Sequence, residues 1–214
     1  MKVRLKFNGS DALLSNYSHT GQDLFALMAL NGKRNGTYLE IGAGYPIYNN
    51  NTYLLESQFG WTGVAVDYEK QFYDMHKQER KHHIKLSDAV LVDYAELLVE
   101  GGIDSKQIDY LSLDLDGEST INTLYKLPLE THKFAVVTFE HDAYRFGDKY
   151  KILGREHFKK YGYELVVSNV FLSGAGDFED WWIHPDLIEK TTIESLRSDG
   201  DSITEWSNYI FGDV

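Results

Sequence analysis

Residues 36–44 read Gly36-Thr37-Tyr38-Leu39-Glu40-Ile41-Gly42-Ala43-Gly44, and the reading of the whole chain turns on this stretch. Thr37–Ile41 is a short run of β-prone residues that ends at a glycine, the pattern of a strand entering a turn. Gly42 and Gly44 let the backbone bend sharply and let a ligand approach it closely. The spacing is not the dinucleotide fingerprint G-x-G-x-x-G, because position 47 holds Ile47, after Pro46. A loop over residues 45–50 must therefore separate the strand from the next helix. No helix N-terminus is then held tight against the strand to cradle a pyrophosphate. The stretch points to a nucleoside ligand without phosphates rather than to NAD.

Working outward, strand-like and helix-like segments alternate. Strands are expected at 37–41, 63–67 (GVAVD), 83–86, 108–113, 134–139 (FAVVTF) and 163–168 (YELVVS), with a seventh, antiparallel one near 181–184. Helices are expected at 51–58, closed by Gly60, at 69–80, and at 94–100, stopped by Gly101-Gly102. Another is capped by Ser119 and ends before Pro128, and a last one runs over 149–161 up to Gly162. This alternation predicts an α/β protein: a three-layer α-β-α sandwich around a Rossmann-like, mostly parallel seven-stranded sheet with an antiparallel C-terminal strand. There is no repeat, low-complexity tract or linker, so residues 1–214 read as one domain. Within it, 1–35 is an N-terminal helical segment and 171–214 a C-terminal segment.

The 214 residues suit one α/β domain with a full core, and 43% hydrophobic with 25% charged residues is ordinary for a globular chain. The absence of cysteine excludes disulfides, thiolate nucleophiles and Cys-ligated zinc. No apolar run is long enough to span a bilayer, and the N-terminus lacks the apolar stretch of a signal peptide, so no membrane partner and a cytoplasmic location are expected. The net charge of −12 disfavours a nucleic-acid partner. The one basic cluster, at 77–85, reads as a solvated helix end.

In an open parallel sheet, ligands sit beyond the carboxyl ends of the strands. Here those ends carry Glu40, Asp67, Ser87-Asp88, Asp114 and Glu140-His141-Asp142. Acids at so many matching positions serve no need of stability and together read as a site. Asp67 is placed to accept both hydroxyls of a ribose, two acceptors meeting two donors. Plainer readings exist. Gly42 and Gly44 alone make a strand–helix turn, Asp88 can cap a following helix, and 140–142 can be a capped turn. Trp181 and Trp182 follow a glycine-rich loop, Ser173-Gly174-Ala175-Gly176. They read either as a lid and aromatic wall for a sugar, or as a hairpin with a core tryptophan.

The motif at 36–44 resembles motif I of the Rossmann-like, S-adenosylmethionine-dependent methyltransferases, and the chain is most similar to the FkbM-like group. Ser18-His19-Thr20-Gly21-Gln22-Asp23-Leu24-Phe25 resembles that group's S-Q-x-G-Q-D-x-F, with His19 for Gln. Asn51-Thr52-Tyr53-Leu54-Leu55-Glu56 and Gly60-Trp61-Thr62-Gly63 resemble its N-T-x-x-L-E and G-W-x-G. Residues 108–117 resemble its I-D-Y-L-S-L-D-x-E-G, with Asp116 for Glu. The resemblance covers residues 18–142 and implies a methyltransferase that uses S-adenosylmethionine and methylates a hydroxyl of a sugar or other small molecule. It implies that Glu40 and the backbone of Gly42, Ala43 and Gly44 hold the methionine part of the cofactor. Asp67 would hold the ribose with Tyr68 beside the adenine, and Asp88 with Ala89 would reach the adenine amino group. Gln22 and Asp23 would close over the cofactor from the N-terminal segment, and Asp114 would face the transferring methyl. The segment 171–214 would shape the acceptor pocket.

A hydroxyl nucleophile must lose a proton, and Asp114, His141 and Glu140 are the candidate bases, His141 being best tuned near neutral pH. No metal is required. If one is present, Asp114, Glu140, His141 and Asp142 are its candidate ligands, for Mg²⁺ or a similar ion. Two other readings stay open: a nicotinamide- or nucleotide-binding oxidoreductase, and a catalytically silent protein that keeps the fold and its ligand. The oligomeric state is not readable from the sequence.

Overall fold

The computed structural model describes residues 1–172, 174, 176–198, 200 and 202–212. The strands are β1 (Thr37–Ile41), β2 (Thr62–Asp67), β3 (His83–Leu86), β4 (Gln107–Leu113), β5 (Lys133–Glu140), β6 (Glu164–Leu172), β7 (Gly176–Ile183) and β8 (Thr204–Glu205). The helices are α1 (Gln22–Ala29), α2 (Tyr53–Phe59), α3 (Lys70–Glu79), α4 (Tyr94–Glu100), α5 (Glu118–Leu124), α6 (Ala143–Phe146), α7 (Lys149–Lys160), α8 (Lys190–Leu196) and α9 (Trp206–Phe211).

The described strands form one sheet in the order β3-β2-β1-β4-β5-β7-β6-β8. Neighbours from β3 to β5 are parallel, and β7 runs antiparallel to both β5 and β6. Eight strands stand where seven were expected. The additional one is β8, a two-residue edge strand pairing Thr204 and Glu205 with Val170 and Phe171, too short to leave a periodic trace in sequence. The strand order reverses between β1 and β4, and the crevice beyond the carboxyl ends opens there.

Alternation along the strands splits the core in two. Tyr38, Tyr110, Val136 and Trp181 face a layer built from the N-terminal segment, α1, α2, α8 and α9. Leu39, Leu111, Val137, Phe139 and Trp182 face the layer of α4, α5 and α7. Trp181 and Trp182 are both 0% exposed, one on each face. Neither forms a wall for a ligand. Of the glycine-rich loop read as a lid, Ser173 and Ala175 lie outside the described residues. Among those residues, no helix is long and apolar enough to cross a membrane.

Candidate functional site

A cavity of about 530 Å³ lies at the carboxyl ends of β1, β2, β3, β4 and β5. The first turn forms one wall. Gly42 has φ +81° and Gly44 φ +54°, and a Cβ on Gly42 would meet the Asp114 carbonyl oxygen at 1.8 Å. Glycine is required there because the chain leaving β1 crosses directly against the chain leaving β4. The expected loop follows, and α2 begins only at Tyr53.

That loop is fastened from within. Asn50, 1% exposed, accepts from the backbone amides of Thr52 (3.1 Å) and Tyr53 (2.8 Å) and donates to the Ala43 carbonyl (3.1 Å). Arg80 donates to the Pro46 carbonyl (2.7 Å), Asn50 Oδ1 (2.9 Å), Thr52 Oγ1 (3.0 Å), Tyr38 Oη (3.1 Å) and Glu56 Oε2 (3.0 Å). Arg80 is 6% exposed, so this member of the basic cluster is not part of a solvated helix end. His76 and His82 lie beside it. His76 Nε2 is 3.1 Å from the Gly44 carbonyl, and His76 Nδ1 is 3.0 Å from His82 Nε2. Burial first, then the positive charge of its neighbours, lowers the His76 pKa to about 3.

Asp67 ends β2 and lines the cavity. Its Oδ2 accepts the Gly44 amide (2.9 Å) and its Oδ1 the Glu69 amide (2.8 Å). Each oxygen keeps a further lone pair for a ligand, and burial raises its pKa. Tyr68, exposed beside it, and Asp88 and Ala89 after β3 line the same cavity. Asp88 also caps the short 3₁₀ turn Ala89–Leu91, accepting the Val90 amide at 3.1 Å. The capping reading and the cavity reading hold together.

Asp114 and Glu140 line the far end. Asp114 Oδ2 accepts from the Asn51 side chain at 3.1 Å. Burial, then the facing Asp114 carboxyl, pushes the Glu140 pKa well above the usual carboxylate range. His141 is one residue further along and points to the opposite face. It is 0% exposed, its Nε2 lies 3.7 Å from Asp180 Oδ1, and its Nδ1 accepts the Ala143 amide at 3.2 Å. Burial alone would raise the pKa of Asp180; the hydrogen bonds from Arg155 (2.7 and 2.8 Å) and the nearby His141 ring outweigh it and hold it at about 2. His141 therefore belongs to a buried imidazole–carboxylate–guanidinium group against α7. The expected donor set Asp114, Glu140, His141 and Asp142 does not gather round one point. Among the described residues, no three carboxylate or imidazole side chains form a metal-binding group.

The remaining expected residues lie around the cavity rather than on its wall. Glu40, 1% exposed, accepts from Thr52 Oγ1 at 2.9 Å, and burial raises its pKa to about 7. Gln22 donates to Glu179 Oε2 at 3.0 Å. Asp23 accepts from the amides of Tyr17 (2.8 Å), Ser18 (3.2 Å) and Leu24 (2.8 Å), and so ties the N-terminal segment to the start of α1.

No family model and no curated protein matches the chain. Among solved structures it is similar to an O-methyltransferase from Bacillus cereus in complex with S-adenosylhomocysteine (SAH). The TM-score is 0.56 at 14% identity, over 83% of this chain and 86% of that one. It is also similar to human methyltransferase-like protein 13 in complex with SAH, with a TM-score of 0.50 at 17% identity, over 83% of this chain and 88% of that one. The chain has the Rossmann-like methyltransferase fold.

On this methyltransferase fold, several cavity residues escaped the sequence reading. Phe72 on α3 and Leu115 and Ser119 after β4 line the cavity, as does Glu69. Phe72 packs edge-on against Tyr45, with ring centroids 5.0 Å apart. Glu179 was missed too. It pairs with Glu140 in the β5–β7 ladder and is 3% exposed. Burial, then Asp114, raises its pKa to about 8. Only the register of β7 brings it beneath the site; in the sequence it is one of three acids in that strand, with Asp177 and Asp180, and nothing singles it out.

Proposed function

We propose that this protein binds S-adenosylmethionine and transfers its methyl group to a hydroxyl oxygen of a small-molecule or saccharide acceptor. One observation carries the reading. The glycine turn after β1 and the Asp67 carboxylate that braces it line a single cavity at the carboxyl ends of the parallel strands. The four sequence motifs that resemble the FkbM-like group support it, as does the presence of SAH in both similar solved structures. Six of the lining residues are carboxylates and none of the described ones is a lysine, arginine or histidine. Such a wall favours a sulfonium nucleoside over a pyrophosphate dinucleotide and over nucleic acid.

The roles follow from position. Asp67 takes the ribose hydroxyls with Tyr68 and Phe72 beside the base, and Asp88 and Ala89 meet its edge. The methyl end lies toward Asp114 and Glu140. Transfer is an in-line displacement: an oxygen lone pair forms the new bond to carbon, the carbon–sulfur bond breaks, and the sulfonium leaves as a neutral thioether. Alignment supplies most of the acceleration. The hydroxyl proton passes to Asp114, whose carboxyl stands at the methyl end of the cavity.

Calorimetric titration with S-adenosylmethionine, SAH and NAD⁺ tests the reading. Both sulfur nucleosides should bind and NAD⁺ should not. Asp67→Ala should weaken SAH binding at least tenfold while the circular dichroism stays that of a folded α/β protein. Failure of folded protein to bind either sulfur nucleoside refutes it.

A further inference from the structure

Gly44 is held from two sides. Asp67 Oδ2 accepts its amide at 2.9 Å, and His76 Nε2 stands 3.1 Å from its carbonyl oxygen. Gly44 lines the cavity with φ +54°, and a Cβ on it would meet nothing within 4 Å. Packing therefore does not fix its conformation, and an unrestrained glycine samples many. The two hydrogen bonds supply the restraint.

In neutral rings only one proton arrangement allows this. A carbonyl oxygen accepts and never donates, so His76 Nε2 carries the hydrogen and His76 Nδ1 is bare. That Nδ1 lies 3.0 Å from His82 Nε2. The two ring planes are 29° apart with centroids 5.0 Å apart. The rings thus meet end to end, and the contact is an N–H···N bond that His82 Nε2 must donate. His82 Nδ1 is bare in its turn and accepts from Tyr38 Oη at 2.7 Å. Tyr38 Oη accepts from Arg80 at 3.1 Å. Glu56 competes for the Tyr38 proton, since its Oε2 lies 2.9 Å from Tyr38 Oη and 3.3 Å from His82 Nδ1. Arg80 serves that oxygen from Nε at 3.0 Å and from Nη2 at 2.9 Å, so the hydroxyl can turn to His82. With Tyr38 turned to Glu56, neutral His82 would donate from Nδ1 and the order would reverse. His76 Nε2 would then face the Gly44 carbonyl with a lone pair, and two acceptors would oppose each other. His76 and the His82 side chain are buried. Burial lowers both pKa values, so both rings are neutral near pH 7, as the chain of bonds requires.

We propose that His76 and His82 are positioning residues for the cofactor: through this one-way chain of hydrogen bonds they fix the Gly44 carbonyl, and with it the turn that receives S-adenosylmethionine. The proposal rests on the methyltransferase reading of the cavity. Neither ring lines the cavity, so both act through Gly44. A ligand that meets a turn already ordered does not lose affinity to ordering it.

Long-range ¹H–¹⁵N spectra of the ligand-free protein at pH 7.5 read the tautomers, and His76→Gln identifies the His76 signals among the eight histidines. Both rings should be in the Nε2–H form. In calorimetry, His76→Gln should bind SAH within about threefold of the native protein, because its amide can donate to Gly44 and its oxygen can accept from His82. His76→Phe fills the space of the ring and donates nothing. It should bind SAH about tenfold more weakly, the loss of one hydrogen bond. A residue that merely filled space would give the reverse order. Circular dichroism and melting temperature on the same samples separate lost affinity from lost fold. An Nδ1–H form of His76 overturns the proposal, as does native-like SAH binding by folded His76→Phe. If His76→Phe does not fold, the native tautomers and His76→Gln decide, and a tenfold loss in His76→Gln overturns the proposal. SAH failing to bind the native protein refutes the methyltransferase reading, while the tautomers, read without ligand, still show whether the chain of bonds holds Gly44.

Discussion

Gly42 occupies a position that no other residue can take without displacing Asp114. Its φ of +81° is unfavourable for any side chain, and the 1.8 Å approach of a Cβ to a backbone carbonyl cannot be relieved by a rotamer change. Gly42→Ala should cost more than about 2 kcal/mol in urea denaturation and should abolish SAH binding even below the unfolding transition. Glu179 is a second residue whose setting has a measurable consequence. Its pKa rises from 4.5 in the unfolded chain to about 8 in the fold, so the native state binds a proton that the unfolded state has released. Stability then falls as pH rises between those two values, with a slope of up to about 1.4 kcal/mol per pH unit for one proton. The lowered pKa of His76 acts in the opposite sense, but only between about 3 and 6.5. Between pH 6.5 and 8, Glu179→Gln should therefore flatten the decline seen in the native protein. An unchanged slope means that Glu179 is ionised in the fold.

At the scale of elements, the alternation of β5 divides the work of its last residues. Leu113 pairs with Phe139 in the β4–β5 ladder, so Asp114 and Glu140 leave the sheet side by side. His141 is turned to α7 and Asp180. If the proposed methyl transfer is the activity, Asp114→Asn in the purified protein with an acceptor in hand should lower kcat by about 10²–10⁴ with little change in melting temperature. His141→Phe should instead lower the melting temperature and leave kcat of the folded fraction within a few-fold; a kcat loss equal to that of Asp114→Asn defeats this division of roles. The loop from Gly44 to Thr52 depends in the same way on α3. Arg80 bonds two loop carbonyl or amide oxygens and stands between the carboxyls of Glu56 and Glu40. Removing it leaves buried acceptors and charge uncompensated. Arg80→Met should cost about 3–5 kcal/mol and weaken SAH binding through the loop, read by denaturation and calorimetry on the same sample.

At the scale of the molecule, the sheet separates two cores and leaves one open end. That end holds the cavity because parallel strands all deliver their carboxyl termini to it. The acids gathered there repel one another, and the fold tolerates them through partial protonation and neutral donors such as Asn51 and Gln22. Ligand binding to this end should stabilise the whole molecule, since it reaches residues from five strands. SAH at a hundredfold excess over its Kd should add about 2.7 kcal/mol, seen as a rise in melting temperature that Asp67→Ala removes.

What the amino-acid sequence determined by itself is local and periodic. The strand–turn at 36–44, the alternation of elements, the glycine stops at Gly60 and Gly102 and the acids at the strand ends all follow from backbone preferences and from spacing along the chain. Those suffice for the fold class and for Asp67, Asp88, Asp114 and Glu140 around one cavity. Tertiary structure decided the rest. Which way His141 points depends on the phase of β5 relative to its partners. Whether Arg80 is solvated depends on where α3 docks. Glu179 comes beneath the site through the antiparallel return of β7, and β8 exists only because β6 offers an edge to pair with. Each of these is set by contacts between residues far apart in the chain, and a contact of that kind leaves no period, cap or motif in the sequence around either partner.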